Sequence, residues 1–180
     1  MATYVALLRA INLGAVNKIP MPALRTMFED IGHENVRTYV QSGNVVFEAP
    51  RTGLKKLVRQ LEEGVTATFG HDISVIIRNG SDLERIATRN PFALEGGSPS
   101  SMHVVFLAER APARGVKVLD PDRWLPDKFE VSGSEIYLLL PNGMGRSKMS
   151  ISHFEKVLGV RGTARNWNTV TKLRELVQSQ

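Results

Sequence analysis

The chain has 180 residues, of which 42% are hydrophobic and 23% are charged, and its formal net charge is +5. These proportions are typical of a globular protein with a packed core and exclude an extended disordered chain. The absence of cysteine excludes disulfides, thiolate metal sites and a thiol nucleophile. No apolar run approaches the roughly 18 residues that span a bilayer, and the start lacks the pattern of a signal peptide. We therefore expect a cytoplasmic protein with no membrane partner.

The positive charge is concentrated near the C-terminus. Residues 141–180 contain seven Lys or Arg and two Asp or Glu, which equals the excess of the whole chain. A smaller group, Arg9, Lys18 and Arg25, has no acidic residue beside it among residues 1–28. An anionic partner would explain this distribution. A solvated basic face that aids solubility explains it equally well.

The first half of the chain has the element order of a ferredoxin-like fold. Apolar runs predict strands, helical spacing of apolar residues predicts two helices, and Ser42 and Gly43 predict a tight hairpin turn. The order strand, helix, strand, strand, helix, strand is that of a split β-α-β sandwich. The predicted strands cover 4–11, 36–41, 44–48 and 73–77, and the predicted helices end at Gly32 and cover 54–65.

The second half partly repeats this order but offers no clear final strand. Ser81 and Glu84, at capping-box spacing, predict a connecting helix that ends at Asn90, and the Gly/Ser-rich stretch 96–101 predicts a linker. Further strands are expected at 102–108, 129–131 and 136–140, with a short helix within 112–119 and two C-terminal helices. We predict an α+β fold of two ferredoxin-like halves packed together, with domains over residues 1–90 and 91–180.

Two polar loops are candidate anion sites, because each is predicted to connect a strand to a helix. A glycine-containing turn in that position exposes backbone amides and the positive end of a helix dipole, and nearby cations add charge. We call residues 9–18 the first polar loop and residues 142–148 the second polar loop. The second has a G-x-G pattern but neither a Walker A motif nor a Rossmann fingerprint, so a purely structural turn is an equal alternative.

The segment 163–169 is a third candidate. Asn166 or Asn168 is a natural N-cap for the last helix, whose apolar face begins at Val170. Capping requires one of these side chains, and the surplus of Asn, Thr and Arg indicates recognition of a ligand. For Trp167 itself we favour a place in the core.

Several other patterns favour structural roles. No two of the four histidines lie three or four residues apart, so no helical metal site is predicted. Asp120, Asp122 and Asp127 are expected to serve as turn and cap residues. Residues 42–44 favour a hairpin turn over a site. Arg9, at the end of a buried strand, is expected either to contact the anion or to pair with a carboxylate.

Short polar motifs extend from one end of the chain to the other: Leu8-Arg9, Ile11-Asn12, Asn17 to Met21, Val36 to Tyr39, Gln41 to Phe47, Asn90 to Phe92, Gly145 to Lys148 and Thr163 to Thr169. Together they resemble the bacterial family called domain of unknown function 1697. The chain departs from that family at Ala10 and Ala15, where glycine is expected, and at Ala164, where threonine is expected. The resemblance implies a cytosolic α+β protein with two ferredoxin-like halves, and it implies no activity.

Three functions remain open from the sequence. The first is binding of a phosphorylated small molecule, a nucleotide or another anion in a basic cleft between the two halves. The second is nucleic-acid binding through the basic C-terminal face, with Trp167 or Tyr39 stacking on bases. The third is an enzyme acting on a phosphorylated or acyl substrate, with Lys18 or Lys148 as a reactive amine and with Arg146 and Arg165 as an electrostatic clamp. No cofactor and no metal are predicted. The predicted ligand-binding residues are Arg9, Asn12, Asn17, Lys18, Arg146, Ser147, Lys148, Thr163, Arg165, Asn166 and Asn168.

Overall fold

The computed structural model describes residues 1–179 and contains two compact units. Unit 1 comprises residues 1–83 together with the described residues from 173 to 179, and unit 2 comprises residues 84–172. The division into domains over residues 1–90 and 91–180 stays a prediction. None of the helices within the described residues is long and apolar enough to cross a lipid bilayer.

Unit 1 contains a four-stranded antiparallel sheet with strand order β2-β3-β1-β4, which is the ferredoxin-like order. One face of this sheet packs on two helices around a core that includes Leu8, Phe28 and Phe47. The hairpin predicted at 42–43 is present between β2 and β3. The elements are β1 (Ala2–Leu8), α1 (Met21–Asp30), β2 (Glu34–Tyr39), β3 (Asn44–Ala49), α2 (Leu54–Phe69) and β4 (Val75–Asn79).

Unit 2 repeats this topology with strand order β6-β7-β5-β8, so the prediction of two ferredoxin-like halves is confirmed. Its core surrounds Phe154 and Leu138. The helix between its first two strands is short, with four residues where α1 has ten. The elements from the connecting helix onward are α3 (Gly80–Thr88), α4 (Pro91–Leu94), β5 (Met102–Leu107), α5 (Ala113–Val116), β6 (Lys128–Ser132), β7 (Glu135–Leu139), α6 (Ile151–Leu158), β8 (Gly162–Asn166) and α7 (Trp167–Gln178).

The expectation that the second half lacks a final strand is wrong. β8 pairs antiparallel with β5 over five residues, from His103 opposite Asn166 to Leu107 opposite Gly162. Its sequence, Gly-Thr-Ala-Arg-Asn, has none of the large apolar residues that mark a strand. An edge strand needs only one paired neighbour, so backbone pairing in the sheet determines its conformation here.

An Arg-Asn pair occupies the end of the fourth strand in both units. Arg78 and Arg165 are each 7% exposed, and each donates a hydrogen bond to the carbonyl of the preceding residue. Asn79 and Asn166 each accept a 2.8 Å bond from the backbone amide three residues later and so cap the following helix. The two halves therefore share a local device as well as a topology.

The N-terminal cap of α3 lies two residues earlier than predicted. Asn79 accepts from the Asp82 amide, and the Asp82 carboxylate accepts from the Asn79 amide at 3.1 Å. This reciprocal pair is a capping box. Ser81, which was expected to form the cap, instead donates its hydroxyl to Asn79.

Candidate functional site

The second polar loop connects β7 to α6, as predicted. Its fold is set by two turns, in which the Gly143 amide donates to the Leu140 carbonyl and the Arg146 amide donates to the Gly143 carbonyl. Gly143 has a φ of +83°, a conformation that glycine adopts without steric cost. Ser150 then caps α6 by accepting a bond from the His153 amide. The helix therefore begins directly after the loop.

The loop leaves several donors available to solvent. Arg146 and Lys148 are exposed, and neither forms an ion pair with a carboxylate among residues 1–179. The backbone amides of Gly145 and Lys148 likewise have no acceptor within the described part of the chain. The first-turn amides of α6 add the positive end of the helix dipole. Two cations and a set of free N–H groups thus lie within ten residues.

Ser147 differs from its exposed neighbours because its side chain forms hydrogen bonds within the protein. Its hydroxyl donates to the Asp127 carboxylate at 2.6 Å and accepts from the Met149 amide at 3.0 Å. Asp127 is 7% exposed, and its amide donates to the Trp124 carbonyl. The hydroxyl is therefore committed within the fold, and Ser147 anchors the loop to the turn that precedes β6. Asp127 has the structural role expected of it.

The first polar loop connects β1 to α1. The side-chain amide of Asn12 forms hydrogen bonds to backbone groups of the protein itself. Asn12 donates to the Ile19 carbonyl at 3.0 Å and to the Gln41 carbonyl at 2.8 Å, and its side-chain oxygen accepts from the Ile19 amide at 2.8 Å. These three bonds close the loop and join it to the β2–β3 turn. The φ of +54° at Asn12 is one that Asn tolerates better than most residues.

The other predicted residues of the first polar loop divide into two groups. Asn17 donates to the Ala10 carbonyl at 3.1 Å and so closes the loop from its other end. Arg9 is half-buried and already interacts with other groups of the protein. Lys18 is exposed and has no ion pair among residues 1–179. Of these three residues, Lys18 is therefore the one whose charge is available to a ligand.

The third predicted segment lies largely inside unit 2. Thr163 is 5% exposed and its hydroxyl accepts from the Arg165 guanidinium at 2.8 Å. Burial lowers the pKa of Arg165 from the usual arginine value. Trp167 is 7% exposed, which confirms its place in the core. Asn166 caps α7, and Asn168 is exposed with its carbonyl bonded to the Thr171 hydroxyl.

These contacts explain most of the polar surplus in segment 163–169 by internal bonding. Arg165 donates to the Thr163 hydroxyl and to the Ala164 carbonyl, and Asn166 caps α7 by accepting from the Thr169 amide. Their part in ligand binding stays a prediction, as does the cleft predicted between the two halves. Within residues 1–179, no cluster of three or more His, Asp or Glu is placed to hold a metal ion.

Sequence comparison places the chain in a known family. The family model described as "Protein of unknown function (DUF1697)" matches residues 1–137. The chain belongs to the DUF1697 family. A conserved bacterial protein from Streptococcus pneumoniae, whose structure is solved, is similar to this DUF1697 protein with a TM-score of 0.71 and 22% sequence identity. That similarity covers 98% of each chain and shows the fold alone. No curated protein matches the sequence.

The matched region of this DUF1697 protein includes the first polar loop and Asp127 and ends before the second polar loop. Two features of the molecule were missed by the sequence reasoning. One is the Asp127–Ser147 bond, which joins residues 20 positions apart and leaves no local pattern. The other is His33, whose burial beside a cavity follows from the packing of α1, α2 and β3. Neither feature has a sequence signal beyond the residue itself.

Proposed function

We propose that this DUF1697 protein binds an anionic small molecule, through a phosphate or similar group, at the second polar loop and the start of α6. The observation that carries the proposal is the pair of exposed cations, Arg146 and Lys148, which have no carboxylate partner among residues 1–179. Glycine-containing turns that lead into a helix are recurrent phosphate sites because their amides converge on the ligand.

The donors of the loop differ in the role that we assign to them. Arg146 offers a planar fork that matches two phosphate oxygens, whereas Lys148 offers a point charge. The amides of Gly145 and Lys148 complete the set of donors. Ser147 is a positioning residue, because its bond to Asp127 holds the loop in place while its neighbours face solvent.

The burial of Trp167 removes one of the two aromatic residues predicted to stack on bases, and the other, Tyr39, is half-buried. A residue that is 7% exposed has no ring face available for stacking on a base. The cations of the second polar loop then explain recognition of a charged group without requiring base contacts.

Calorimetric titration with pyrophosphate tests the proposal. The double variant Arg146→Ser/Lys148→Ser should bind pyrophosphate about tenfold or more weakly than the native chain, since it loses two charge-assisted contacts. The matched control is Arg114→Ser/Lys117→Ser, which removes the same charge from another exposed part of unit 2. Equal losses in both double variants would show that only net charge matters, and an unchanged affinity in the first would contradict the proposal.

A further inference from the structure

Unit 1 contains a cavity of about 520 Å³ that the proposed anion site does not involve. It lies where the end of α1, the segment after β3 and the first half of α2 meet. Its volume is within the range of roughly 300–1,000 Å³ that is typical of small-molecule sites. The lining residues are Ile31, Gly32, His33, Ala49, Pro50, Thr52, Lys56, Leu57, Arg59, Gln60 and Glu63.

His33 is the unusual residue of this lining. It is 6% exposed, and its ring packs 4.9 Å from the ring of Phe47 and 6.0 Å from that of Phe28. Neither ring nitrogen has a hydrogen-bond partner within the described residues. A buried imidazole normally satisfies both nitrogens, because leaving them unpaired is unfavourable. The fold therefore retains an unsatisfied donor and acceptor beside a cavity.

In the observed ring orientation both nitrogens of His33 are buried, so a hydrogen bond to a ligand in the cavity requires the ring to rotate. A rotation of the imidazole by 180° about the Cβ–Cγ bond exchanges the positions of the ring nitrogens and ring carbons. This torsion has a broad, roughly two-fold profile, and the flat ring keeps its contacts with the two phenylalanines. Desolvation by burial also lowers the pKa of His33, so the ring is neutral near pH 7 and offers one donor and one acceptor.

The rest of the lining separates into an apolar wall and a polar rim. Ala49 and Leu57 are each 1% exposed and form the apolar side with Ile31. On the rim, Arg59 forms an ion pair with Glu63 at 2.7 Å, whereas Lys56 is exposed and has no ion pair among residues 1–179. Gln60 also lines the cavity and donates a 3.3 Å bond to the Ile31 carbonyl.

We propose that this cavity binds a small organic acid whose apolar body packs on Ile31 and Pro50, whose carboxylate meets Lys56, and whose distal hydroxyl bonds to His33 once the ring has rotated. Lys56 requires a negatively charged group on the ligand, and the apolar wall requires an apolar body. The unsatisfied imidazole of His33 requires a hydroxyl at the far end of the ligand. Such a site is distinct from the second polar loop in position and in chemistry.

The test uses two probes, 4-hydroxybenzoate and benzoate, which differ by the hydroxyl alone. Chemical shifts of the backbone amides of the full chain are followed up to about 10 mM probe, so that affinities in the millimolar range are measurable. We expect the amides of residues 31–33 and 56–60 to shift and 4-hydroxybenzoate to bind about fivefold more tightly, which is the effect of one hydrogen bond. No shift at these amides, or equal affinity for both probes, would overturn the proposal.

Two variants and a control locate the contacts. Lys56→Gln should weaken both probes about threefold or more, whereas Lys55→Gln, a neighbour that does not line the cavity, should leave both affinities unchanged. His33→Phe keeps a flat aromatic ring but removes both nitrogens, and it should abolish the difference between the two probes. If His33→Phe does not fold, the lysine pair still decides, because equal effects of Lys55→Gln and Lys56→Gln would overturn the assigned position of the carboxylate.

Discussion

The two polar loops contain similar residue types, yet the protein uses them in opposite ways. In the first polar loop, Asn12 and Asn17 make four hydrogen bonds to backbone groups of the loop and of the neighbouring turn. In the second polar loop, Ser147 is the one residue whose side chain forms a hydrogen bond among residues 1–179, while Arg146 and Lys148 remain exposed. Polar composition therefore does not distinguish a loop whose side chains form internal hydrogen bonds from a loop whose side chains are available to a ligand.

The difference has a physical origin in the backbone. The first polar loop places Ala10, Asn12 and Asn17, none of which is glycine, at positive φ, so internal bonds must stabilise an unfavourable conformation. In the second polar loop the residue with a positive φ is Gly143, which adopts that conformation without strain. Fewer internal hydrogen bonds are therefore needed to stabilise this backbone. Its donors are consequently left for solvent or for a ligand.

The largest contrast between the two regions is expected from glycine substitutions. Gly43, in the turn bonded to the first polar loop, has a φ of +78°, and an added Cβ would lie 2.7 Å from Ile11 Cδ1. Gly43→Ala should therefore lower the free energy of unfolding by about 3 kcal/mol, from backbone strain and overpacking together. Gly143→Ala meets no atom within 4 Å at φ +83° and should cost about 1 kcal/mol. Urea unfolding measures both, and equal losses would contradict the account of a tightly packed first loop.

The next contrast concerns asparagine. Asn12→Ala removes three hydrogen bonds and should destabilise the fold by about 2 kcal/mol or more. Asn142→Ala is its counterpart, since Asn142 is exposed and makes no side-chain bond among residues 1–179, and it should change stability by less than about 0.5 kcal/mol. Thermal or urea unfolding of the pair is decisive: a neutral Asn12→Ala would mean that these bonds do not stabilise the loop.

A smaller effect is expected at the anchor of the second polar loop. Ser147→Ala removes a bond to the buried Asp127 carboxylate and should cost about 1.5 kcal/mol. The control is Ser132→Ala, an exposed serine without a side-chain bond in the described chain, which should be neutral. If both variants unfold at the same urea concentration as the native chain, Ser147 is not an anchor.

The smallest effect concerns a polar group that is unsatisfied rather than satisfied. Burial lowers the pKa of His33 below the usual histidine value of about 6.5, so the unfolded chain takes up a proton more readily and stability falls as the pH drops below about 6.5. His33→Phe removes this loss and should be more stable than the native chain by about 1 kcal/mol near neutral pH, with a larger margin at lower pH.

Unfolding of both chains by urea at several pH values measures that margin. His103 and His153 also have lowered pKa values, so both chains should retain part of the acid sensitivity. The difference between the two chains isolates His33. A margin that stays constant across the pH range would show that protonation of His33 does not couple to folding.

The type and order of most elements could be predicted from sequence, because apolar spacing carries that information. The helix over 54–69 shows a continuous helical period, and β1 and β3 are short apolar runs. β8 could not be predicted in the same way, since its pairing with β5 rather than its residue types determines it. The same limit explains the misplaced cap of α3, where Asn79 competes successfully with Ser81.

The candidate site was less predictable than the fold, because contacts between residues that are distant in sequence determine which of its side chains are free to bind a ligand. Nothing in the local sequence tells that Asn12 will reach the Gln41 carbonyl, 29 residues away, or that Ser147 will reach Asp127. Exposed cations are easier to predict, because Lys and Arg are rarely buried without a partner. Arg146, Lys148 and Lys18 fit that expectation, whereas Arg165 is buried and bonded to Thr163.

Mapping the backbone amide shifts caused by pyrophosphate tests the central claim most directly. The account predicts that the largest shifts occur at Gly145, Lys148 and the first turn of α6, and that the amides of Asn12 and Asn17 change little. The contradicting result is a map whose largest shifts lie outside residues 142–152, or one in which pyrophosphate shifts no amide of that segment.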